Sequence, residues 1–260
     1  MRSPGRFEKA WYRVLVEANR MTRPFARGPQ RIPRECNLCG YRGYFLSAGK
    51  GTRPDAKCPR CNSVERHRLF KLWFDNNQNI LAGRDVLHFA PEPGIAGLIR
   101  PTARTYSSAD IEPGRADRVL NLEALAIADA SFDCLVCLHV LEHVDDTRAL
   151  NEMRRVLRPG GSAIIMVPVI EGWAETYEDL TITSPKQRAL HFGQADHRRI
   201  YGADIRTRIR NAGFELAEFT AWGPDVLRHG LLSGEKVFVA TCRNPASAAA
   251  PTPPHSHLRE

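Results

Sequence analysis

The chain has 260 residues, which is enough for one full domain and a small accessory unit. Its content of 43% hydrophobic and 25% charged residues is typical of a globular protein, and no apolar run approaches the roughly 18 residues that a membrane-spanning helix needs. The first part of the chain has no continuous apolar block, so we predict no secretory signal, no membrane insertion and a cytoplasmic location.

The net charge of +8 is concentrated near the start of the chain. Residues 1–70 contain 16 Lys and Arg against 5 Asp and Glu, a net charge of +11, which leaves −3 for residues 71–260. A basic surface attracts phosphate groups, although a solvated Arg-rich leader would have the same composition. Residues 1–34, interrupted by Pro24, Pro29 and Pro33, are predicted to be a basic arm or linker.

Four of the seven cysteines form two Cys-x-x-Cys pairs. The pair Cys36 and Cys39 is separated by 18 residues from the pair Cys58 and Cys61. Two such pairs complete a tetrahedral site of four thiolates, which leaves no open position for catalysis. Residues 35–62 are therefore predicted to be a ribbon that binds one structural zinc ion. The remaining cysteines lie in apolar runs and are predicted to be core thiols: Cys134, Cys137 and Cys242.

A helix is predicted over residues 63–82, where it would connect the ribbon to the main domain. Asn62, followed three residues later by Glu65, has the pattern of a capping box. Leu69, Phe70 and Trp73 would form the apolar face of this helix.

Strand-like and helical patterns alternate over residues 83–243. A helix is predicted at residues 147–157, with Asp145 or Asp146 as its N-cap and Gly160-Gly161 past its end. Strands separated by helices predict an α/β domain with a mostly parallel sheet. Residues 244–260, rich in Ala, Ser and Pro, are predicted to be a disordered tail. The strand-like runs are residues 85–90, 105–109, 132–138, 162–167, 214–220 and 236–242.

Ligands of an open α/β sheet bind beyond the carboxyl ends of its strands. The first strand ends in a turn, His88 to Gly94, that keeps a single glycine. The second strand ends in Asp110, and an acidic residue at that place can accept the hydroxyls of a ribose. A helix cap or an ordinary turn residue would give the same pattern.

Two later segments have the sequence pattern of one enzyme family. The fourth strand runs into Leu141-Glu142-His143, and residues 155–161 read Arg-Val-Leu-Arg-Pro-Gly-Gly. Together with Asp110 and the segment His-Arg-Arg-Ile-Tyr-Gly at residues 197–202, these motifs resemble the class I S-adenosylmethionine-dependent methyltransferases of the type 11-like group. The resemblance spans about residues 85–242, and the ribbon followed by Ser-Val-Glu-Arg-His-Arg resembles an extension found on a bacterial subset of that family.

The resemblance implies a Rossmann-like, doubly wound α/β fold with a mostly parallel seven-stranded sheet, preceded by the zinc ribbon. It also implies transfer of a methyl group from S-adenosylmethionine. Asp110 would bind the ribose, Ile111 would pack on the adenine, and Glu92 would contact the ammonium group of the methionine moiety. The full set of implied cofactor-binding residues is Phe89, Ala90, Pro91, Glu92, Gly94, Asp110, Ile111, Asn121, Leu122 and His139.

The first loop departs from the family pattern. His88 replaces the expected acidic residue, and Ala90 and Glu92 replace two expected glycines. A noncatalytic binding scaffold with the same fold, whose loop no longer binds the cofactor, is therefore an alternative function.

The acceptor remains open between two classes. A hydroxyl of a sugar or small metabolite would need a base, and His139, His191 and His197 are the candidates because histidine titrates near neutral pH. His139 would serve equally well as a cap of the helical turn that follows it. An RNA acceptor, bound by the basic arm and ribbon, is the alternative; the small acceptor is favoured because the ribbon lacks a dense aromatic surface for stacking bases.

Overall fold

The computed structural model describes residues 32–49 and 53–243. The predictions of a basic arm and of a disordered tail fall on residues outside these ranges, apart from the last residues of the arm. The described residues from Arg34 onward belong to one compact unit, so the ribbon and the sheet are described together. The predicted domain boundaries stay predictions.

The ribbon contains four short strands, β1 (Arg34–Glu35), β2 (Arg42–Gly43), β3 (Leu46–Ala48) and β4 (Arg53–Lys57). The main sheet contains β5 (Asp85–Phe89), β6 (Thr105–Asp110), β7 (Arg118–Val119), β8 (Phe132–Leu138), β9 (Leu157–Met166), β12 (Phe214–Thr220) and β13 (Lys236–Cys242), and β10 (Tyr177–Glu178) pairs with β11 (Arg199–Ile200) beside it. The helices are α1 (Glu65–Asn76), α2 (Pro93–Ile99), α3 (Asp146–Val156), α4 (Pro185–Phe192), α5 (Ile205–Asn211) and α6 (Gly223–His229).

The main sheet confirms the predicted mostly parallel, seven-stranded fold. Its strand order is β12-β13-β9-β8-β5-β6-β7; β13 runs antiparallel to both of its neighbours, β12 and β9, and the other adjacent pairs are parallel. The order reverses where β5 pairs with both β6 and β8, so the carboxyl ends of these strands flank the position at which such folds bind ligands. The sequence indicated six of the seven strands; β7 has two residues, too few for an apolar pattern.

The two faces of the sheet bury two separate hydrophobic clusters. Phe89 and Cys137 belong to one cluster and Val86 and Cys134 to the other, as the alternation of side chains along a strand requires. Cys134, Cys137 and Cys242 are fully buried, which confirms that they are core thiols. Burial raises the pKa of the Cys134 thiol to about 12, so it is a poor nucleophile.

Helix α3 begins as predicted but ends one residue early. The side chain of Asp145 caps it by accepting a hydrogen bond from the backbone N–H of Arg148. Because β9 begins directly at Leu157, Gly160 and Gly161 lie inside this strand rather than in a loop past the helix. A Cβ atom on Gly161 would come within 2.8 Å of the Asp133 carbonyl oxygen, so the close approach of β8 and β9 requires glycine there.

The capping box predicted at Asn62 and Glu65 is wrong. Asn62 has a positive φ of 62° and precedes the first turn of α1, which begins at Glu65. The backbone N–H of Val64 instead donates to Nδ1 of His67 at 3.1 Å. The helix itself ends at Asn76 and is followed by a 3₁₀ turn at residues 78–80, so it is shorter than the predicted range.

A buried arginine in α1 joins the ribbon to the main domain. The guanidinium of Arg68, which is fully buried, donates to the carbonyl oxygens of Ala56 and Ser63 in the ribbon at 2.8 Å. It also donates to the carbonyl oxygens of His229 and Gly230, at the end of α6, at 2.6 and 2.8 Å. These bonds fix the ribbon and α1 to the end of α6 in the main domain.

In the part of the chain that the structure describes, none of the helices has the length and hydrophobicity needed to cross a bilayer.

We expect Arg68→Ala to lower the free energy of unfolding by about 3 kcal/mol or more, because it leaves buried carbonyl oxygens without donors and opens a cavity. Urea unfolding followed by circular dichroism measures the change. Arg118→Ala removes an exposed arginine and should change stability by less than about 0.5 kcal/mol. If the free energy of unfolding falls no more in Arg68→Ala than in this control, the bridging role is contradicted.

Candidate functional site

The four ribbon cysteines lie in the arrangement that a tetrahedral metal requires. Their sulfur atoms all lie within 4.8 Å of one another, with 3.6 Å between Cys36 and Cys61 and 3.7 Å between Cys39 and Cys58. Zn–S bonds of 2.3 Å in a tetrahedron separate the sulfurs by about 3.8 Å. The residues therefore fit zinc, and because all four positions are thiolates the ion would be structural.

The first loop keeps the backbone shape of a glycine turn although it lacks the glycine. Ala90, directly after β5, has a φ of 47°, in the left-handed region that normally favours glycine. Its N–H donates to the carbonyl oxygen of Ala109 in β6 at 2.8 Å, which holds the turn against the neighbouring strand. Pro93 then begins α2, and a Cβ atom on Gly94 would contact nothing within 4 Å.

Glu92, in place of the second glycine, is directed to helix α1. Its carboxylate pairs with the guanidinium of Arg66 and lies 2.8 Å from Nε2 of His67. Burial by itself would raise the pKa of Glu92, but His67 and Arg66 lower it to about 2, so this carboxylate is ionised near neutral pH. The predicted contact with an ammonium group would have to share the carboxylate with these two residues.

His88, in place of the expected acidic residue, is a buried neutral side chain. It is fully inaccessible, and its Nδ1 lies 2.9 Å from the hydroxyl of Tyr106. Burial lowers the pKa of His88 to about 4, so it carries no charge near neutral pH. It therefore contributes packing and one hydrogen bond where the family has a carboxylate.

The predicted ribose-binding residue is anchored at the end of β6. Oδ1 of Asp110 accepts a hydrogen bond from the backbone N–H of Glu112 at 2.8 Å, whereas Oδ2 has no hydrogen-bond partner among the described residues. Ile111 beside it is 62% exposed, which is unusual for so large an apolar side chain, and Leu122 is buried. Asn121 is exposed, and its Oδ1 accepts from the N–H of Glu123 at 2.9 Å. This arrangement leaves one carboxylate oxygen and one apolar surface available to a nucleoside.

A cavity of about 1060 Å³ lies at the carboxyl end of β8. His139 lines it from this strand, Arg66 from α1 and Glu235 from the loop before β13. The ribbon contributes Gly49 and Arg53, so the accessory unit forms part of the cavity wall.

His139 lies between two carboxylates in this cavity. Its backbone has a φ of 55°, and its backbone N–H donates to the carbonyl oxygen of Met166 at 2.7 Å. Nδ1 lies 3.3 Å from Oε1 of Glu142, and Nε2 lies 3.8 Å from Oε1 of Glu235. Burial raises the pKa of Glu235, whose Oε2 has no hydrogen-bond partner among the residues that the structure describes. Sequence reasoning missed Glu235, because it follows a turn glycine in a loop without any motif.

The other two candidate bases differ in position. His197 is buried and lines a second cavity of about 330 Å³ together with Glu142; this cavity shares Pro168, Gly193 and Gln194 with the larger one. Burial lowers the pKa of His197. His191 lies on α4 with Nδ1 2.7 Å from the hydroxyl of Tyr177, and it lines neither cavity. The structure thus brings His139 and His197 to the two sides of Glu142.

The segment after His197 is fixed to the turn that carries Glu142. The guanidinium of Arg199 donates to the carbonyl oxygens of Leu141 and Val144 at 3.1 and 2.6 Å. Tyr201 is fully buried, and its hydroxyl donates to the carbonyl oxygen of Leu141 at 3.2 Å and to Oδ2 of Asp146 at 3.0 Å. The motif at residues 197–202 therefore has a physical reason: it positions His197 against the end of β8.

Known proteins resemble the chain both in sequence and in structure. A family model described as a methyltransferase domain matches residues 100–165. The ubiquinone/menaquinone biosynthesis C-methyltransferase of Klebsiella pneumoniae strain 342 is 32% identical over 189 residues, which cover 59% of this chain and 75% of that protein. The enzyme of the same name from Escherichia coli O1:K1 is 32% identical over 113 residues, which cover 38% of this chain and 45% of that protein. The chain thus matches a little under half the length of the Escherichia coli relative.

One solved structure has a TM-score of 0.52 and 16% sequence identity; the match covers 68% of this chain and 91% of that chain. It belongs to a complex between the Haloferax volcanii Trm112 methyltransferase activator and a methyltransferase. At this identity the similarity shows the fold.

We expect elemental analysis to find about one zinc ion more per chain in the wild type than in Cys58→Ser, because the ribbon loses its ion and the binding free energy of a structural zinc is also folding free energy. Hydrogen exchange should then show faster exchange in residues 34–61. Cys242→Ala, which removes a core thiol, is the control and should keep the zinc. If the wild-type protein holds no zinc after purification and incubation with Zn²⁺, the ribbon assignment is contradicted.

Proposed function

The chain belongs to the class I S-adenosylmethionine-dependent methyltransferases, and we propose that it transfers a methyl group from this cofactor to a small acceptor bound beside His139. One observation supports this most directly. Three adjacent strands end at the edge where the strand order reverses. The Ala90 turn follows β5, Asp110 is the last residue of β6, and His139 follows β8. The cofactor loop, the ribose ligand and a candidate base therefore share one edge of the sheet.

The residues at this edge fit the cofactor. Asp110, whose Oδ1 is anchored by the Glu112 N–H, would accept the ribose hydroxyls mainly through Oδ2. Ile111 and Leu122 would enclose the adenine, which would cover the exposed surface of Ile111. The left-handed turn at Ala90 would bring the backbone close to the methionine moiety, as a glycine turn does. When bound, the cofactor supplies a methyl group on a sulfonium, which is an excellent leaving group.

The chain's own contribution to the chemistry would be placement and removal of a proton. In-line placement of two reactants accounts for a large part of the rate of such transfers. If the Nδ1–H of His139 points to Glu142, Nε2, which is buried and has no hydrogen-bond partner among the described residues, keeps a lone pair that would accept the proton of an acceptor hydroxyl reaching it. Glu235, with its raised pKa, is a second group that could take this proton.

A hydroxyl of a sugar or small metabolite is the proposed acceptor. The ribbon residues Gly49 and Arg53 form part of the wall of the His139 cavity, which favours an enclosed small molecule. Arg53, Arg66 and Glu171 give this wall several groups that can hydrogen-bond to hydroxyls. The relatives are named as C-methyltransferases of quinone biosynthesis, so acceptor screening should include aromatic ring carbons made acidic by a neighbouring oxygen.

We expect calorimetric titration of the zinc-loaded protein to detect S-adenosylmethionine and S-adenosylhomocysteine, and Asp110→Ala to weaken both by about 100-fold. Two hydrogen bonds to a charged carboxylate, at about 1.5 kcal/mol each, account for this factor. Glu112→Ala removes the exposed carboxylate two residues away and is the matched control, with an affinity close to that of the wild type.

The titration separates the alternatives. Equal affinity in Asp110→Ala would remove the ribose assignment. A folded wild-type protein that binds neither compound would favour the noncatalytic scaffold. An RNA acceptor would instead require binding of RNA whose affinity falls steeply with salt, and it would depend on the basic arm outside the described residues.

A further inference from the structure

Three side chains outside the cofactor site converge next to His139. Glu142 and His143 lie on the 3₁₀ turn after β8, and His197 lies on the segment before β11. One ligand atom from each of the three lies within 4.8 Å of the other two. The rings of His143 and His197 are nearly perpendicular, with centroids 4.7 Å apart. Glu142 and His197 are 2% and 6% exposed, so this cluster lies largely inside the protein.

We propose that Glu142, His143 and His197 bind a divalent transition-metal ion through one carboxylate oxygen and two imidazole nitrogens. Ligand atoms about 2.1 Å from one ion are about 3–4 Å apart, so side-chain movements of less than about 1 Å complete the site. Imidazole ligands select transition metals over Mg²⁺ and Ca²⁺, which prefer oxygen ligands.

A buried carboxylate oxygen gives independent support for this site. Oε2 of Glu142 is inaccessible and has no hydrogen-bond partner among the described residues, whereas Oε1 lies 3.3 Å from Nδ1 of His139. A polar oxygen without a partner inside a protein is costly, and a bound cation would supply that partner. Next to it, Nδ1 of His143 lies 3.4 Å from Oδ2 of Asp196, a contact of the kind that ligand histidines make with outer carboxylates.

The position of the cluster suggests what the ion does. Three protein ligands leave coordination positions open, and Glu142 and His197 line the cavity of about 330 Å³ that adjoins the His139 cavity. An acceptor oxygen bound at an open position would have a lower pKa. Its proton would pass to Nε2 of His139, its electron pair would form the new bond to the methyl carbon, and the electrons of the broken C–S bond would remain on sulfur.

This role of the ion rests on the proposed methyl transfer. Metal binding itself does not, because the three ligands are in place whether or not a methyl group is transferred.

The test is titration of the full-length protein, loaded with only one equivalent of Zn²⁺ for the four-cysteine ribbon, with Co²⁺ alone, followed by absorption spectroscopy and elemental analysis. The expected result is one bound Co²⁺ per chain with weak visible bands and without the intense thiolate-to-cobalt band of a four-cysteine site. Glu142→Gln and His197→Ala should each weaken Co²⁺ binding by more than the roughly 10–100-fold that loss of an outer partner costs. His191→Ala, which changes a histidine outside both cavities, is the matched control and should bind as the wild type does.

Three results would overturn the proposal: no bound Co²⁺, a thiolate-to-cobalt band, or wild-type affinity in both Glu142→Gln and His197→Ala. His143→Ala provides a further variant at a partly exposed position, and circular dichroism verifies that each variant is folded. Binding of S-adenosylmethionine is measured on the same protein without Co²⁺. Loss of cofactor binding alone would contradict the proposed function, whereas loss of Co²⁺ binding alone would contradict only the metal site.

Discussion

The buried guanidinium of Arg68 is the interaction on which the arrangement of the site depends. A charged group without access to water must have all its donors paired, and here carbonyl oxygens of the ribbon and of the α6 end accept them. This pairing fixes the first turn of α1, where Arg66 and His67 contact the carboxylate of Glu92. The ribbon, the loop after β5 and the wall of the cavity are therefore positioned by one helical turn.

The opposite side of the cavity depends on a second set of buried hydrogen bonds. Arg199 and Tyr201 bind the carbonyl oxygens of the turn after β8, and Asp146 accepts from Tyr201. This set brings a segment about 55 residues away in sequence against Glu142, and thereby creates both the small cavity and the convergence of three metal-ligating side chains. The candidate metal site and the candidate base thus share Glu142, one oxygen of which faces His139.

The departures in the first loop are compatible with a working turn. A glycine is expected where φ is positive, yet Ala90 adopts that conformation with a small side chain, at a strain of about 1–2 kcal/mol. Glu92 avoids the space of the turn because the guanidinium of Arg66 and Nε2 of His67, both on α1, contact its carboxylate. His88 is neutral and buried, so the loss of the usual acidic residue leaves no unpaired charge. These contacts explain how the loop folds; cofactor affinity is a matter for titration.

The convergence of the four ribbon cysteines, six strands of the main sheet and the fold could be predicted from the sequence alone, because cysteine spacing and apolar periodicity are local signals. It also placed Asp110 and His139 at strand ends, where a parallel sheet brings its functional residues together. The two-residue strand β7, the start of α1 and the burial of Glu92 were decided only by tertiary contacts. Glu235 reaches His139 from a loop nearly a hundred residues later, and Glu142, His143 and His197 converge only when the chain folds, since no local pattern encodes a long-range distance.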